Sequence, residues 1–227
     1  MDIRVVACDI FGTTVDWYTG VADQVAGVLP DVDPGDFASR WRAEYVPSMA
    51  RVRTGDREWA YLDTLHRESL DGLLGDRDVD EATRVRLVKA WHTLPAWPDS
   101  VAGLARIGAK YTTAALSNGG FALLTNLVKQ AGLPFDCVLS AELARAYKPD
   151  AAVYHRAAAL LDVEPAQVLM VACHRWDLDG ARAAGLRTAF VDRPREKGPH
   201  EAANRASDVT CDLYATDFLD LATQLGS

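Results

Sequence analysis

The sequence predicts an α/β protein: a doubly wound parallel sheet core with a small inserted α-helical cap. Three observations predict it. Four short apolar runs rich in β-branched residues recur, at residues 3–10 (IRVVACDI), 112–118 (TTAALSN), 168–174 (VLMVACH) and 187–192 (RTAFVD). Their near-continuous apolar character suits strands covered on both faces, as in parallel sheets. Helical segments separate the later runs, and alternating strands and helices build a doubly wound core. Residues 17–95, by contrast, hold several helical stretches and no strand signal.

In chain order, the first run delivers Asp9 and is followed by Phe11, Gly12, Thr13 and Thr14. In the insert, residues 36–53 (DFASRWRAEYVPSMARVR) and 80–94 (DEATRVRLVKAWHTL) space their apolar side chains as helices do. The chain returns to the core near Pro95-Ala96-Trp97-Pro98, which divides it into a core of 1–16 plus 96–227 and a cap of 17–95. Amphipathic helices are expected at 121–131, stopped by Gly132, and at 151–161. A shorter one over 177–185 stops at Gly185. The polar stretch 194–205 (PREKGPHEAANR) reads as a loop.

A length of 227 residues allows one large domain, or a core domain with an appendage. A net charge of −8 argues against a nucleic-acid partner. No apolar run approaches the roughly 20 residues that span a bilayer, so no membrane partner is expected. The N-terminus lacks a signal-peptide pattern, and the expected location is cytoplasmic. The four cysteines, Cys8, Cys137, Cys173 and Cys211, form no CxxC pair, and free thiols are expected.

Ligands of open parallel sheets bind at the carboxyl ends of the strands. The polar residues placed there are Asp9, the pair Ser117-Asn118, and His174 with Asp177; Lys148 arrives between them just before a helix. An acid, a hydroxyl–amide pair, a lysine and a second acid are thus expected on one edge. Each has a plainer alternative. Asp9 could cap the following turn, Lys148 could lie on the surface, Asp177 could N-cap the helix 178–184, and His174 could fill a strand end.

These residues carry a resemblance. The ordered set Asp9-Ile10-Phe11-Gly12-Thr13, Ser117-Asn118-Gly119, Tyr147-Lys148-Pro149 and Trp176-Asp177 resembles the haloacid dehalogenase superfamily. More narrowly, it looks like the type II dehalogenases of (S)-2-haloalkanoic acids. Trp41-Arg42 also resembles a segment of that family's cap. The resemblance implies a Rossmann-like core and metal-independent hydrolysis of a small 2-halocarboxylate to a 2-hydroxy acid, with inversion and release of halide. It further implies an ester intermediate on Asp9, no cofactor, and a homodimer.

The residue types suit that chemistry. A carboxylate such as Asp9 can form a covalent ester that water later hydrolyses. Phosphatases of the superfamily carry a second Asp at the position of Phe11, as general acid and base toward an alcohol leaving group. Halide leaves without a proton, so a phenyl ring can stand there. It keeps the pocket apolar and removes an oxygen ligand that Mg²⁺ would want. Lys148 would hold Asp9 ionised. Thr13, Ser117 and Asn118, with backbone N–H groups near Gly12 and Gly119, offer donors to a substrate carboxylate or an ester oxyanion. By the resemblance, Asp177 would position or activate the hydrolytic water, and Arg42, in the segment that matches the family's cap, would meet halide or substrate carboxylate. Trp17, Trp41, Trp59 and Trp176 either line an apolar pocket or pack in the core.

One stretch departs from the family. Where the family often reads Ser-Ser-Asn-x-Trp-Asp, this chain reads Ala172-Cys173-His174-Arg175-Trp176-Asp177. His174 could act as a base or donate to the ester carbonyl. The competing readings are a Mg²⁺-dependent phosphatase of the superfamily, a hydrolase of another C2-substituted small carboxylate, and a non-catalytic interaction protein on the same scaffold.

Overall fold

The computed structural model describes residues 1–199 and 201–227; His200, within the stretch read as a loop, lies outside them. Six parallel strands form one sheet: β1 (Val5–Cys8), β2 (Thr112–Ser117), β3 (Cys137–Ser140), β4 (Val168–Ala172), β5 (Arg187–Val191) and β6 (Leu213–Ala215). Their order is β3-β2-β1-β4-β5-β6. Every residue of β1 and β4 is buried, as befits central strands with helices over both faces. The order reverses at β1 and β4, and the loops after a pair on either side of such a switch point diverge to leave a crevice. Asp9 follows β1 and His174 follows β4 closely, so both stand at that crevice.

The expected strands are β1, β2, β4 and β5. The two that sequence reading did not find, β3 and β6, are the sheet's edges. Edge strands are covered on fewer sides, so they need no continuous apolar run: β6 is three residues long with Tyr214 exposed.

Five of the six helices between β1 and β2 fall within the inserted stretch 17–95: α1 (Trp17–Ala26), α2 (Pro34–Ala43), α3 (Tyr45–Arg53), α4 (Leu62–Leu74) and α5 (Glu81–Ala90). The apolar spacing over 36–53 is helical but serves two helices. Pro47 lacks the N–H that a continuous helix would bond, and its ring would collide with the preceding turn. The chain therefore restarts at Glu44, which puts Pro47 in the first turn of α3. Asp33 and Asp80 cap α2 and α5 by accepting the Asp36 and Thr83 N–H groups. Trp17, Trp41, Trp91 and Phe37 bury their rings within this insert, and Phe11 meets Trp91 edge-on at 5.8 Å.

Both linkers to the insert run side by side. The Asp16 N–H donates to the Pro95 carbonyl at 2.9 Å, and the Trp97 N–H to the Thr14 carbonyl at 3.1 Å. The core helices are α6 (Ser100–Gly108), α7 (Phe121–Gln130), α8 (Ala151–Leu160), α9 (Arg175–Ala183) and α10 (Phe218–Gln224). Helix α9 begins two residues before its expected start, and His174 holds its N-cap position. Asp177 is therefore not an N-cap: it lies inside the first turn with its side chain buried. Among the described residues, no helix is long and apolar enough to cross a membrane, and all four cysteines are free.

Candidate active site

Asp9 is where β1 ends. Its N–H donates to the Val171 carbonyl of β4 at 2.9 Å, and its own carbonyl accepts the Thr14 hydroxyl at 2.6 Å. That fixes the backbone and aims a 4 % exposed carboxylate into the crevice. The two oxygens meet different partners. Oδ1 accepts from Lys148 Nζ at 3.0 Å. Oδ2 accepts from the Thr13 hydroxyl at 2.9 Å and from His174 Nδ1 at 3.1 Å. Burial by itself would raise the Asp9 carboxyl, but the Lys148 charge and the His174 hydrogen bond outweigh it and hold Asp9 well below the usual carboxylate range.

Lys148 is buried and bridges both acids. Its Nζ donates to Asp9 Oδ1, to Asp177 Oδ2 at 2.5 Å and to the Leu116 carbonyl at 2.9 Å, which uses all three ammonium protons. Burial opposes its charge, yet the two carboxylates push the ammonium above its ordinary range. Asn118 holds the lysine's segment: its Oδ1 accepts the Lys148 N–H at 2.7 Å, and its Nδ2 meets Met49 Sδ at 3.3 Å. Tyr147 anchors the same segment to the insert, with its hydroxyl on the Ala60 carbonyl at 2.6 Å and its ring stacked on Trp59.

Asp177 projects from α9, which approaches closely because Gly180 faces Pro149; a Cβ there would fall 2.5 Å from the proline ring. The Tyr154 hydroxyl donates to Asp177 Oδ1 at 2.7 Å. Burial, together with the Asp9 charge, pushes the Asp177 carboxyl up, against the pull of Lys148.

His174 bridges Asp9 to a third acid. Its Nε2 lies 3.2 Å from Glu196 Oε1, and that same oxygen accepts the Trp17 indole N–H at 2.5 Å. Burial favours the neutral ring, but the adjacent Cys173 sulfur, Glu196 and the bond to Asp9 raise His174 well above its usual range. Glu196 in turn is lowered to about 2: burial opposes the shift, and His174 dominates it. Gly12 makes room for this carboxylate. It sits at φ +87°, and a Cβ on it would fall 2.5 Å from Glu196 Oε1.

Over the crevice, Arg42 of α2 lays its guanidinium carbon 3.9 Å from the Tyr45 ring centroid, with Nη1 buried and unpartnered among the described residues. It lines a cavity of about 270 Å³ with Trp17, Tyr45, His174, Trp176 and Glu196. A second, more apolar cavity of about 290 Å³ shares Val46 and Trp176 with the first and reaches Lys148.

The sequence pattern of the haloacid dehalogenase-like hydrolases matches residues 3–185. The chain belongs to that family. It is 33% identical over 199 residues to (S)-2-haloacid dehalogenase 1 of Pseudomonas sp. strain CBS-3, covering 84% of this chain and 85% of that protein. It superposes on a defluorinating L-2-haloacid dehalogenase with a TM-score of 0.95 and 44% identity, over 99% of this chain and 96% of the other. It also matches the L-2-haloacid dehalogenase of Xanthobacter autotrophicus with chloropropionic acid covalently bound (TM-score 0.85, 27% identity, 99% of each chain).

In this hydrolase, Asp9, Lys148, His174 and Asp177 meet on one edge of the sheet, with the Thr13 hydroxyl on the same Asp9 oxygen as His174. Phe11 is buried edge-on to Tyr45 and Trp91, between the site and the insert. Trp176 stacks on His174 at 5.7 Å and lines both cavities. Trp17 lines the first cavity, whereas Trp41 packs in the insert with its N–H on the His66 carbonyl. Ser117 is used locally: its Oγ accepts the Gly119 N–H at 3.3 Å. The Gly12 N–H is likewise committed to the Val15 carbonyl, so these two backbone donors serve turns. Sequence reading missed Glu196 and Tyr154. Glu196 lies in the polar stretch taken as a loop, five residues beyond the end of β5 and past the nearer polar residues Asp192 and Arg193. Tyr154 sits on the buried face of α8, where its hydroxyl is the only signal.

Proposed function

We propose that this hydrolase cleaves the carbon–halogen bond of small (S)-2-haloalkanoic acids, giving 2-hydroxy acids of inverted configuration through an ester on Asp9. The observation that carries the reading is the buried Asp9–Lys148–Asp177 chain, with a phenyl ring at Phe11 where a second acid could stand. Asp9 Oδ1 attacks C2, the C2–halogen bond breaks, and halide departs unprotonated toward the Arg42 guanidinium. Oδ2, which already accepts from Thr13 and His174, stays behind as the ester carbonyl. Water then attacks Cγ and gives one proton to Asp177. The negative charge that gathers on Oδ2 is met by donors already in place, which lowers the barrier. The Cγ–Oδ1 bond breaks, the product alkoxide takes a proton from Lys148, and Lys148 recovers it from Asp177. The second proton of the water goes to solvent as Asp9 ionises again. Cleavage at Cγ leaves C2 untouched, so the inversion of the first step survives.

Phe11 supports chemistry without Mg²⁺, since it supplies neither a second acid nor an oxygen ligand. A core of 1–16 plus 96–227 with a cap of 17–95 fits this reading, supported by the paired linkers at Thr14–Asp16 and Pro95–Trp97. A cytoplasmic homodimer belongs to it on the family resemblance, and light scattering on the purified protein tests the assembly. The deciding experiment is halide release from (S)-2-chloropropionate in EDTA, beside Asp9→Asn. Turnover lost in the variant is expected. Phosphate ester hydrolysis that depends on Mg²⁺, with no halide released, would refute the reading.

A further inference from the structure

His174 is bracketed by two carboxylates, from Asp9 on one side and Glu196 on the other. Glu196 is 2 % exposed although it lies in a polar loop. Its place is constructed. The Glu196 N–H donates to the Arg193 carbonyl at 3.0 Å. Arg193 in turn binds the Thr13 carbonyl through Nε and both Asp99 oxygens, each at 2.8 Å. The loop carrying the glutamate is thereby tied to the turn carrying the nucleophile. The Trp17 indole from α1 and the bare Cα of Gly12 hold the carboxylate from two further sides.

We propose that Glu196 is a positioning residue for the ester-hydrolysis step: with Trp17 it orients His174 and keeps it a cation, so that Nδ1–H points at Asp9 Oδ2. This rests on the reading above that Asp9 carries an ester. The geometry matters because His174 and Thr13 are the two donors on the oxygen that must gather charge when water attacks Cγ. A neutral ring could present an acceptor to that oxygen instead of a proton. With Glu196 ionised against Nε2, both ring nitrogens are donors. No covalent bond forms at Glu196 or His174, and no proton is consumed.

The titratable and charged groups around the ring come from every element packed on it. Asp9 follows β1, with Lys148 on its far oxygen. The Cys173 thiol, just after β4, has its Sγ 3.6 Å from Nε2. Glu196 comes from the loop after β5. Across the cavity stand Arg42, Lys197 and Glu201, the last two paired with each other. Of these, Glu196 is the anion on the ring nitrogen that faces away from the nucleophile.

The test separates the two chemical steps. Single-turnover experiments with (S)-2-chloropropionate follow halide release and, by intact mass, decay of the Asp9 ester, from pH 6 to 9. For Glu196→Gln, which keeps the shape and the indole bond, halide release stays within about twofold. Ester decay is about tenfold slower at the alkaline end, because its falling limb moves down by about one pH unit. Glu196→Asp restores the charge and moves the limb partway back. Trp17→Phe keeps the charge, removes the indole donor, and moves the limb less than Glu196→Gln. In ¹⁵N NMR the His174 ring stays an imidazolium through neutrality in the parent protein and titrates at lower pH in Glu196→Gln. An unchanged limb together with an unchanged His174 titration would overturn the proposal. Absence of any Asp9 ester in the parent enzyme would overturn the parent reading instead, and the NMR arm would still report whether Glu196 charges the ring.

Discussion

Replacing Lys148 with methionine strips the cation from between two buried carboxylates and leaves an apolar side chain of similar length. The separations are 3.0 Å to Asp9 and 2.5 Å to Asp177. At an effective dielectric of about 20, those distances correspond to about 5.5 and 6.6 kcal/mol of gross attraction. Much of this offsets the cost of burying the ammonium, and breaking such a pair by removing one partner costs a net of about 3–5 kcal/mol. A second bound limits the loss. A stranded carboxyl can take a proton instead, which at pH 7 costs about 4 kcal/mol from an ordinary Asp. Asp177, already pushed up by burial and by Asp9, is the group that takes it. The expected destabilisation of Lys148→Met is therefore about 4 kcal/mol at pH 7.

Its pH dependence has a definite sign. In the parent, the depressed Asp9 carboxyl contributes stability that is present above the ordinary Asp range and lost only as pH falls through its folded value. The raised Lys148 contributes stability present below the ordinary Lys range and lost only in strong base. The variant instead folds with a bound proton, so acid favours it. Between pH 7 and pH 5 the gap narrows by about 2.7 kcal/mol for one proton taken up. Urea unfolding of both proteins at the two pH values measures this. A difference below about 1 kcal/mol at pH 7, or one that is equal at both pH values, would refute the electrostatic account of the site.

Three further outcomes follow from the same contacts. Phe11→Ala empties a buried ring site between Tyr45 and Trp91 and should cost about 3–5 kcal/mol in urea unfolding. Arg42→Ala should lower kcat on (S)-2-chloropropionate by about 10²-fold, read in a halide assay, because in the proposed mechanism its guanidinium receives the departing halide. Gly12→Ala combines a left-handed backbone with a collision on Glu196. It should lose more than about 1 kcal/mol of stability, and the crowded Glu196 should slow decay of the Asp9 ester in single-turnover mass measurements.

Asp9, His174 and Asp177 were legible because each sits at or just past the end of an apolar run, and a parallel sheet gathers such ends on one edge; Lys148 was legible from its place before a helix in Tyr147-Lys148-Pro149, and Thr13 from the turn that follows Asp9. The central strands were legible for the same reason of two-sided burial, and the edge strands β3 and β6 were not. The break at Glu44 is visible in hindsight through Pro47. Nothing in the local sequence marks Tyr154 as a donor to Asp177, or tells Ser117, spent on its own turn, from Asn118, which holds Lys148.

The amino-acid sequence by itself determined the layered α/β class, the sheet edge on which Asp9, His174 and Asp177 gather, and the choice of a phenyl ring where a second acid could stand. Those are properties of periodicity and residue type, which act locally. Tertiary structure alone decided which donors share an oxygen. Lys148 reaches Asp9 across 139 positions and Trp17 reaches Glu196 across 179. Contacts so distant along the chain arise from the crossing of loops over the switch point, where burial makes each charge demand a partner.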